Sequence, residues 1–421
     1  MTDSENATAV IEYSKFENMP MFQNPDRTML KLLGGISAYG FLDPSPIQQK
    51  AIVPMAYGRD IIAQAQSGTG KTGAFAIGSL TLIDPKTPHV QVMILSHTHE
   101  LATQTADVIA DIGSKMGAKV ELCIGQQVSV VENMENIRRG CHVVVGTPGR
   151  LYDLLTRGSF QKDHIRLIIL DEADKLLDEK FIDQVRDILN IIEERHKDIP
   201  PLQVCIFSAT MTDKVVALAR RVMNKPVEIL VPPCELTLDG IDQYYIDSPQ
   251  TSFSEAFEDK VRIIIAINGA HIIPKGIIYV NSCRTASVLR DRLNANGLVT
   301  ECIHGDLKPV MRSTVIKNFR LGKTRILIAT DLLARGFDVQ QVKVVINFSM
   351  PQVINRKTGL IDTEAMAEYQ HRIGRSGRYG RKGVSITMIT NPYEKTCLDR
   401  VQEFYETTIH PLPEDLNVVF E

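Results

Sequence analysis

The sequence contains no tryptophan, no Cys-x-x-Cys pair and no large excess of either charge. Its seven cysteines are odd in number and scattered, which argues against a zinc ribbon and against a disulfide framework. No window approaches the roughly 18 to 20 apolar residues of a membrane span, and the first residues lack the basic and apolar regions of a signal peptide. We therefore expect a protein of a reducing intracellular compartment, cytoplasmic or alternatively nuclear, with no membrane partner.

The balance of charges limits the function classes further. The 47 basic and 50 acidic residues give a net charge of −3, which excludes a strongly basic nucleic-acid coat but leaves room for a local basic groove. The chain has 421 residues, of which 44% are hydrophobic. At about 150 residues per domain this predicts two or three domains, and the apolar content argues against a largely disordered chain.

Short apolar runs alternate with longer helical patterns along the chain, as is typical of α/β proteins with parallel sheets. The apolar runs predict strands at 60–65, 90–95, 143–145, 167–170, 204–207, 276–280, 325–328, 343–347 and 384–389. The periodic stretches predict helices at 72–82, 100–113, 214–222, 284–296 and 311–320. Both halves follow the same scheme, which favours two α/β domains.

Two adjacent prolines, Pro232 and Pro233, separate these halves, because neither can continue a helix or donate a hydrogen bond to a sheet. We predict a linker at 231–240 between a first domain at 39–230 and a second at 241–421. Residues 1–38 would form an N-terminal extension and the start of the first domain. Residues 1–20 and 352–368 show no clear pattern, and we expect irregular additions there.

A glycine-containing turn after the predicted strand at 60–65 has the composition of a phosphate-binding loop, although Ala65 stands where such loops usually begin with glycine. Backbone N–H groups of such a turn bind phosphates at the positive end of the following helix. Lys71 would reach the β and γ phosphates, and the Thr72 hydroxyl would bind Mg²⁺. The nucleotide-binding residues of this loop would be Ser67, Gly68, Thr69, Gly70, Lys71 and Thr72.

Two carboxylates follow the apolar run at 167–170 directly. Asp171 emerges at the end of this predicted strand, and Glu172 comes next. A carboxylate in that position can hold Mg²⁺, and its neighbour can orient or deprotonate an attacking water. Together with the phosphate loop these residues favour hydrolysis of ATP or GTP, with Lys71, Asp171 and Glu172 as catalytic residues.

The sequence Asp-Glu-Ala-Asp at 171–174, taken with the phosphate loop, resembles the DEAD-box RNA helicases from about residue 39 to the end. This resemblance implies two RecA-like parallel-sheet domains in tandem and an RNA-dependent ATPase that unwinds RNA locally. It also implies that Phe41 stacks on adenine and that Gln48 hydrogen-bonds the adenine edge, so that ATP is preferred over GTP. The aromatic residue that flanks the base upstream would be Phe22 or Phe16.

The same resemblance assigns roles to further residues. It implies that Arg375 and Arg378 act on the γ phosphate as arginine fingers when the two domains close, with Asp338 at the ribose. Ser208, Ala209, Thr210 and His371 would couple the nucleotide state to RNA binding. The RNA backbone would be bound, with little sequence preference, by Thr98, Thr147, Gly149, Arg150, Arg284, Arg312 and Thr330.

Four positions depart from the family pattern. His97 and His99 stand where the family usually has proline and arginine, Gln126 replaces a glycine, and Pro309 replaces a glutamine. Losing the arginine removes a permanent charge, and a glutamine hinders close approach of the backbone to RNA. These departures predict that RNA binds more weakly or at a different place than in the family, whereas the ATP site is intact.

Within the family, the segments 235–240, 330–342 and 374–383 are most similar to the initiation factor 4A subgroup. That similarity implies a monomer that uses ATP and Mg²⁺ in translation initiation, with RNA and scaffold or initiation-factor partners. The alternative is a nucleotide-gated RNA clamp or mRNP assembly factor, in splicing-linked complexes or mRNA export. Export relatives also have an extended segment at 352–368, either a surface loop or a partner-binding insert. An ATPase acting on DNA or protein is a third alternative.

Overall fold

The computed structural model describes residues 11–65, 69–125, 128–177, 181–194, 199–211, 213–230, 240–250, 252–271, 273–331, 342–354, 361–376 and 382–420. These residues form two compact units, the first ending at residue 230 and the second beginning at residue 240. Each unit contains one seven-stranded sheet. Residues 231–239 of the predicted linker lie outside the described residues.

The first unit is built on a sheet whose strand pairings are all parallel. The strand order is β3-β4-β2-β5-β6-β1-β7. The strands are β1 (Ile61–Gln64), β2 (Val92–Ser96), β3 (Val120–Cys123), β4 (Val143–Gly146), β5 (Leu167–Asp171), β6 (Gln203–Ser208) and β7 (Val227–Ile229).

Both faces of this sheet are buried, which explains why most of its strands are unbroken apolar runs in the sequence. Side chains along a strand point alternately to the two faces. In β2, Val92 and Ile94 belong to one core, whereas Met93 and Leu95 belong to the other. Helices α2 to α5 supply most of the helical residues of the first core, and α7, α9 and α10 supply much of the second.

The helices of the first unit connect successive strands and cover both faces. They are α1 (Pro20–Gln23), α2 (Arg27–Tyr39), α3 (Pro46–Ala56), α4 (Lys71–Thr81), α5 (His99–Gly113), α6 (Val130–Arg138), α7 (Pro148–Thr156), α8 (Ala173–Leu176), α9 (Ile182–Glu193) and α10 (Asp213–Val222). Short 3₁₀ helices lie at Phe16–Asn18, Ser114–Met116 and Lys162–His164.

The second unit repeats this topology. Its strands are β8 (Ile241–Asp247), β9 (Gly276–Tyr279), β10 (Thr300–Ile303), β11 (Ile326–Ala329), β12 (Val344–Asn347), β13 (Gly383–Ile389) and β14 (His410–Pro411). The order β10-β11-β9-β12-β13-β8-β14 matches that of the first sheet when strands are counted from the start of each unit. The predicted α/β class with two parallel sheets is therefore confirmed.

Six helices accompany the second sheet among the described residues. They are α11 (Phe253–Ala270), α12 (Cys283–Ala295), α13 (Pro309–Arg320), α14 (Thr363–Ile373), α15 (Pro392–Tyr405) and α16 (Asn417–Phe420). In the part of the chain that the structure describes, no helix is both long and apolar enough to cross a membrane.

Residues 11–15 form no helix or strand, as expected. The expectation of an irregular N-terminal addition is wrong for residues 16–20, where a 3₁₀ helix spans Phe16–Asn18 and α1 begins at Pro20. Phe16 and Met19 are buried in the core of the first unit, where Phe22 also packs. The anchoring residues are a few apolar side chains in a mostly polar stretch, too short to show a helical period. The same burial places Phe16 and Phe22 in the core, so neither is exposed to flank a nucleotide base.

The segment 352–368 is likewise more ordered at its ends than expected. Val353 is buried, Ile354 forms an antiparallel bridge with Ile361, and α14 begins at Thr363. Residues 355–360 between the bridged positions lie outside the described residues. Ile354 and Ile361 thus lie side by side in the second unit.

Candidate functional site

The predicted nucleotide-binding residues of the first unit lie at the carboxyl end of its sheet. Strands β5, β6 and β1 are neighbours, in that order. Asp171 is the last residue of β5, Ser208 is the last residue of β6, and the phosphate loop follows β1. Loops at the carboxyl ends of parallel strands form the usual ligand crevice of such sheets. The fold thus gathers residues that are far apart in the sequence.

The described part of the phosphate loop leads into α4 through Gly70, whose φ of 98° is in the left-handed region. A Cβ at this position would lie 2.6 Å from Oγ of Ser45, so the turn requires glycine. Lys71 is buried, and its Nζ donates to the carbonyl oxygen of Ala65 at 2.7 Å. Thr72 is half-buried in the first turn of α4. The positive end of this helix therefore faces the loop.

Ser67 and Gly68 of the predicted loop lie outside the described residues, and so do Asp338 and Arg378. Their assignments stay predictions. The described loop residues Thr69 and Gly70 directly precede α4, as the sequence predicts.

The predicted adenine residues contact the phosphate-loop helix. Gln48 is buried, accepts from the backbone N–H of Ser45 at 2.9 Å and donates to the carbonyl oxygen of Gly70 at 3.2 Å. A Cβ at Gly73 would lie 2.5 Å from Nε2 of Gln48 and 2.9 Å from Cε2 of Phe41. A primary amide has two N–H groups and two acceptor lone pairs, so Gln48 keeps one of each for a ligand.

The carboxylates beyond β5 are buried and close together. Asp171 and Glu172 are each 3% exposed, and Glu172 has a left-handed backbone with φ 53° and ψ 55°. Burial, followed by the charge of Glu172, raises the pKa of Asp171 to about 7, while the charge of Lys71 acts against this rise. A bound divalent cation would favour the ionised carboxylate. The group therefore has the chemistry of a cation site.

The predicted coupling residues connect β6 to the same carboxylates. Oγ of Ser208 donates to Oδ1 of Asp174 at 2.8 Å and accepts from the Asp174 backbone N–H at 3.3 Å. Ala209 is buried, and its carbonyl oxygen accepts from Nε2 of Gln64 at 3.2 Å. Among the described residues, Oγ1 of Thr210 is enclosed without a hydrogen-bond partner. Ser208 thus ties the end of β6 to the turn after β5.

The predicted RNA residues of the first unit also lie at the carboxyl end of the sheet, the edge formed by the ends of its strands, but they follow other strands than the nucleotide residues do. Thr98 follows β2 and caps α5, and its Oγ1 accepts from the backbone N–H of Leu101 at 3.2 Å. Thr147 follows β4 and precedes α7, in whose first turn Gly149 is exposed. Since β2 adjoins β5 and β4 lies beyond β2 in the strand order β4-β2-β5, these residues extend the edge away from the phosphate loop.

Arg150 is less available for RNA than the sequence predicts. Its Nη1 donates to the carbonyl oxygen of Val128 at 2.9 Å and to Oδ1 of Asn133 at 2.6 Å. Both hydrogens of Nη1 are thereby used, and Nε and Nη2 carry the donors that are left for a phosphate. Arg150 therefore holds α6 against α7 in addition to any role in binding.

The second unit places its predicted RNA residues at equivalent positions. Arg284 is exposed in the first turn of α12, after β9, and Arg312 lies in the first turn of α13, after β10. Thr330 directly follows β11. Strands β10, β11 and β9 occupy the places in their sheet that β3, β4 and β2 occupy in the first. The predicted RNA residues thus fall at corresponding parts of both sheets.

Arg372 has a central position that the sequence did not reveal. It is fully buried, and its guanidinium donates to Oδ1 of Asp331 at 2.6 Å, to the carbonyl oxygen of Ser349 at 2.7 Å and to Oδ1 of Asn281 at 2.8 Å. The guanidinium carbon lies 5.4 Å from the centre of the Tyr279 ring. A fork of donors suits such convergence on several acceptors. Arg372 therefore holds α14 against the ends of three strands.

The predicted finger residue Arg375 and coupling residue His371 lie at the end of the same helix. Both are buried, and Nε of Arg375 donates to the carbonyl oxygen of His371 at 3.1 Å. This hydrogen bond holds Nε of Arg375 against the last turn of α14.

A further contact joins the two parts of the first-unit edge. Nδ1 of His97, after β2, lies 3.4 Å from Oε2 of Glu172, after β5. The sequence analysis treated His97 only as a departure within a predicted RNA motif. The signal that could have revealed the contact is the pairing of β2 with β5, which sequence pattern alone does not specify.

Comparison with known proteins agrees with this geometry. The DEAD/DEAH box helicase model matches residues 45–218, and the helicase conserved C-terminal domain model matches residues 259–380. Eukaryotic initiation factor 4A-9 of Nicotiana tabacum is 41% identical over 95% of this chain and 89% of its own length. ATP-dependent RNA helicase eIF4A of Eremothecium gossypii is 40% identical over 100% of this chain and 99% of its own length.

Among solved structures, S. cerevisiae Dbp5 bound to RNA and ADP BeF3 is similar to this chain. Its TM-score is 0.82 at 31% sequence identity, covering 97% of this chain and 98% of that one. The two parallel sheets with their flanking helices are RecA-like domains in tandem. The chain belongs to the DEAD-box family of ATP-dependent RNA helicases.

Replacing Asp171 by Asn should raise the thermal unfolding temperature of protein free of nucleotide and Mg²⁺, and more so at pH 8 than at pH 5. The folded-state pKa of about 7 lies above the ordinary value of 3.8. Ionisation of Asp171 therefore costs stability as the pH rises through 7, and Asn removes this cost. Calorimetry at both pH values measures the difference, with Asp43→Asn as the exposed control. Equal shifts at pH 5 and pH 8 would contradict the buried-charge account.

Proposed function

We propose that the first unit binds ATP with Mg²⁺ and hydrolyses it at the carboxyl ends of β1, β5 and β6. Lys71 would exchange its carbonyl partner at Ala65 for the β and γ phosphates, since an ammonium group binds phosphate more strongly than a neutral carbonyl. The adenine would stack on Phe41, and the remaining donor and acceptor of Gln48 would hydrogen-bond the edge of the base. Gln48 already contacts the loop at Gly70, so base and phosphates would share one support.

Thr72 and Asp171 are the residues that would hold Mg²⁺, which neutralises phosphate charge when bound. The raised pKa of Asp171 supports this assignment, because a buried carboxyl with a charged neighbour gains most from a cation. Glu172 is placed one residue beyond this carboxylate. It would orient the attacking water toward the γ phosphate and accept its proton as general base.

RNA would bind along the parts of the edges that follow β2 and β4 in the first unit and β9, β10 and β11 in the second. Backbone N–H groups, hydroxyls and guanidinium groups there suit phosphate oxygens, so sequence preference should be low. Arg375 and Arg378 would act on the γ phosphate, and Asp338 on the ribose, once ATP and RNA are both bound. Ser208 and His371 would couple the two binding events.

The observation that carries the hydrolytic proposal is the convergence of Lys71, Asp171 and Glu172 at one buried edge. Glu172→Gln should keep ATP and RNA affinity within about threefold and lower RNA-stimulated turnover by roughly 100-fold or more, because an amide cannot accept a proton from water. Turnover and equilibrium binding are measured on the full chain, with Glu132→Gln on the exposed side of α6 as control. Turnover near that of the unchanged chain would remove Glu172 from the reaction.

The proposed cellular role is RNA unwinding during translation initiation in the cytoplasm. It is supported by 40 to 41% identity over at least 89% of the length of relatives named as initiation factor 4A. A clamp or mRNP assembly role is the second candidate. It is favoured by the similarity to Dbp5 and by the segment 355–360, whose flanking residues Ile354 and Ile361 pair in the second unit.

Proteins that co-purify with the tagged chain distinguish these two roles. The translation role predicts cap-binding and scaffold initiation factors at near-stoichiometric amounts in RNase-treated extracts, identified by mass spectrometry. A variant with 355–360 replaced by a short glycine-serine loop should keep those partners. Splice-junction or nuclear-pore proteins in their place, lost on shortening the segment, would overturn the translation role and support the second candidate.

A further inference from the structure

Strands β2 and β5 are the neighbours at which the predicted RNA residues meet the predicted nucleotide residues. Thr98 follows the end of β2, and Asp171 is the last residue of β5. The register of this parallel pair places Ser96 opposite Asp171. His97 and Glu172 are therefore the first residues beyond the paired strands, side by side at the boundary between the two parts of the edge.

At this boundary the two side chains approach each other in a largely buried environment. Nδ1 of His97 lies 3.4 Å from Oε2 of Glu172, and the side chains are 13% and 4% exposed. With its hydrogen on Nδ1, the ring attracts the carboxylate oxygen at this distance, and burial protects the attraction from screening by water and salt. The contact therefore bears on the direction in which the Glu172 carboxylate points.

The setting of Glu172 makes that direction sensitive to a neighbour. Its backbone is left-handed, with φ 53°, a conformation that is unfavourable for a residue with a Cβ. Asp171 and Asp174 are negative neighbours in the sequence, and Asp174 is held by Ser208. Glu172 is thus a carboxylate among carboxylates, and His97 offers it a donor from the adjacent strand.

His97 is also fixed to the predicted RNA-binding turn. It lies between Ser96, which is buried at the end of β2, and Thr98, the N-cap of α5. Thr98 is held in place by its hydrogen bond with the backbone N–H of Leu101. A phosphate bound at Thr98 would act on the turn that positions the His97 ring, because the two residues share a peptide bond.

We infer that His97 is a positioning residue that transmits RNA binding at Thr98 to the Glu172 carboxylate. The inference rests on the proposed role of Glu172 in hydrolysis. His97 contacts the Glu172 carboxylate, so its effect is on the orientation of Glu172 when RNA is bound. The family usually has proline at this position, which offers no side-chain donor, so the contact is a property of this chain.

The test compares His97→Asn with His97→Gln on the full chain. The Asn amide nitrogen occupies the place of Nδ1, whereas the Gln amide nitrogen reaches the place of Nε2. His97→Asn should keep the ratio of ATP turnover with saturating single-stranded RNA to turnover without RNA within twofold. His97→Gln and His97→Ala should lower this ratio about fivefold, chiefly by lowering the RNA-stimulated turnover, with the KM for ATP unchanged within twofold.

His142→Ala is the matched control. His142 is buried at the opposite end of the same sheet, before β4, and its Nδ1 accepts from the backbone N–H of Lys119 at 2.9 Å. This variant should lower the unfolding temperature and leave the turnover ratio unchanged, which separates lost stability from lost transmission. The Asn and Gln variants keep the test decisive if His97→Ala does not fold.

Three results would overturn the inference. Equal ratios for His97→Asn and His97→Gln would show that the position of the nitrogen is irrelevant. An equal fall of turnover with and without RNA would show that His97 does not transmit RNA binding. An unchanged ratio in all His97 variants, beside an inactive Glu172→Gln, would reject the inference alone. Full turnover of Glu172→Gln would instead reject the proposed function on which it rests.

Discussion

Parallel pairing of the strands is the constraint on which the rest of the structure depends. Because every pairing within both sheets is parallel, the turns that follow all the strands of a sheet emerge at one edge. Strand order then divides that edge. Residues after β1, β5 and β6 are the proposed nucleotide-binding residues, and residues after β2 and β4 are the proposed contacts to the RNA backbone. At the boundary between β2 and β5 the proposed RNA-binding residues adjoin the proposed nucleotide-binding residues.

Buried charge holds these edges in place, and it does so differently in the two units. In the second unit Arg372 satisfies several acceptors at once, so its charge is compensated by Asp331 and by neutral oxygens. In the first unit the carboxylates outnumber the cations near them, and Asp171 has a raised pKa. A fully compensated group fixes structure, whereas an under-compensated one is prepared for a ligand that brings positive charge.

The sequence predicts much of this fold because buried parallel strands are continuous apolar runs. It misses β3, β7, β8, β10 and β14. β8 mixes aspartate, glutamine and tyrosine with its apolar residues, β3 and β10 include glutamate or threonine, and β7 and β14 are very short. Local motifs likewise predict residues such as Lys71 and Asp171, whose neighbours in the chain define their chemistry. Arg372 and His97 were missed because their partners come from distant segments, and only strand order and register bring them together.

Arg150 illustrates the opposite case, in which a residue type that suits phosphate already donates from Nη1 to Val128 and Asn133. The folded partners of a donor are not visible in a motif. Residue type therefore predicts the class of ligand, whereas availability and coupling are set by tertiary contacts. Local motifs therefore indicate the family to which the chain belongs. The coupling proposed for this chain depends instead on a tertiary contact of His97, just beyond the end of β2.

The central claim is that RNA bound at one part of the edge controls hydrolysis at the other. Steady-state ATP turnover of the full chain, measured across a titration of unstructured single-stranded RNA, tests it most directly. The account predicts slow turnover without RNA and a saturable rise of at least roughly tenfold with it, equal for RNAs of different sequence. Turnover that does not respond to RNA would contradict the account, and so would stable RNA retention with ATP and negligible hydrolysis.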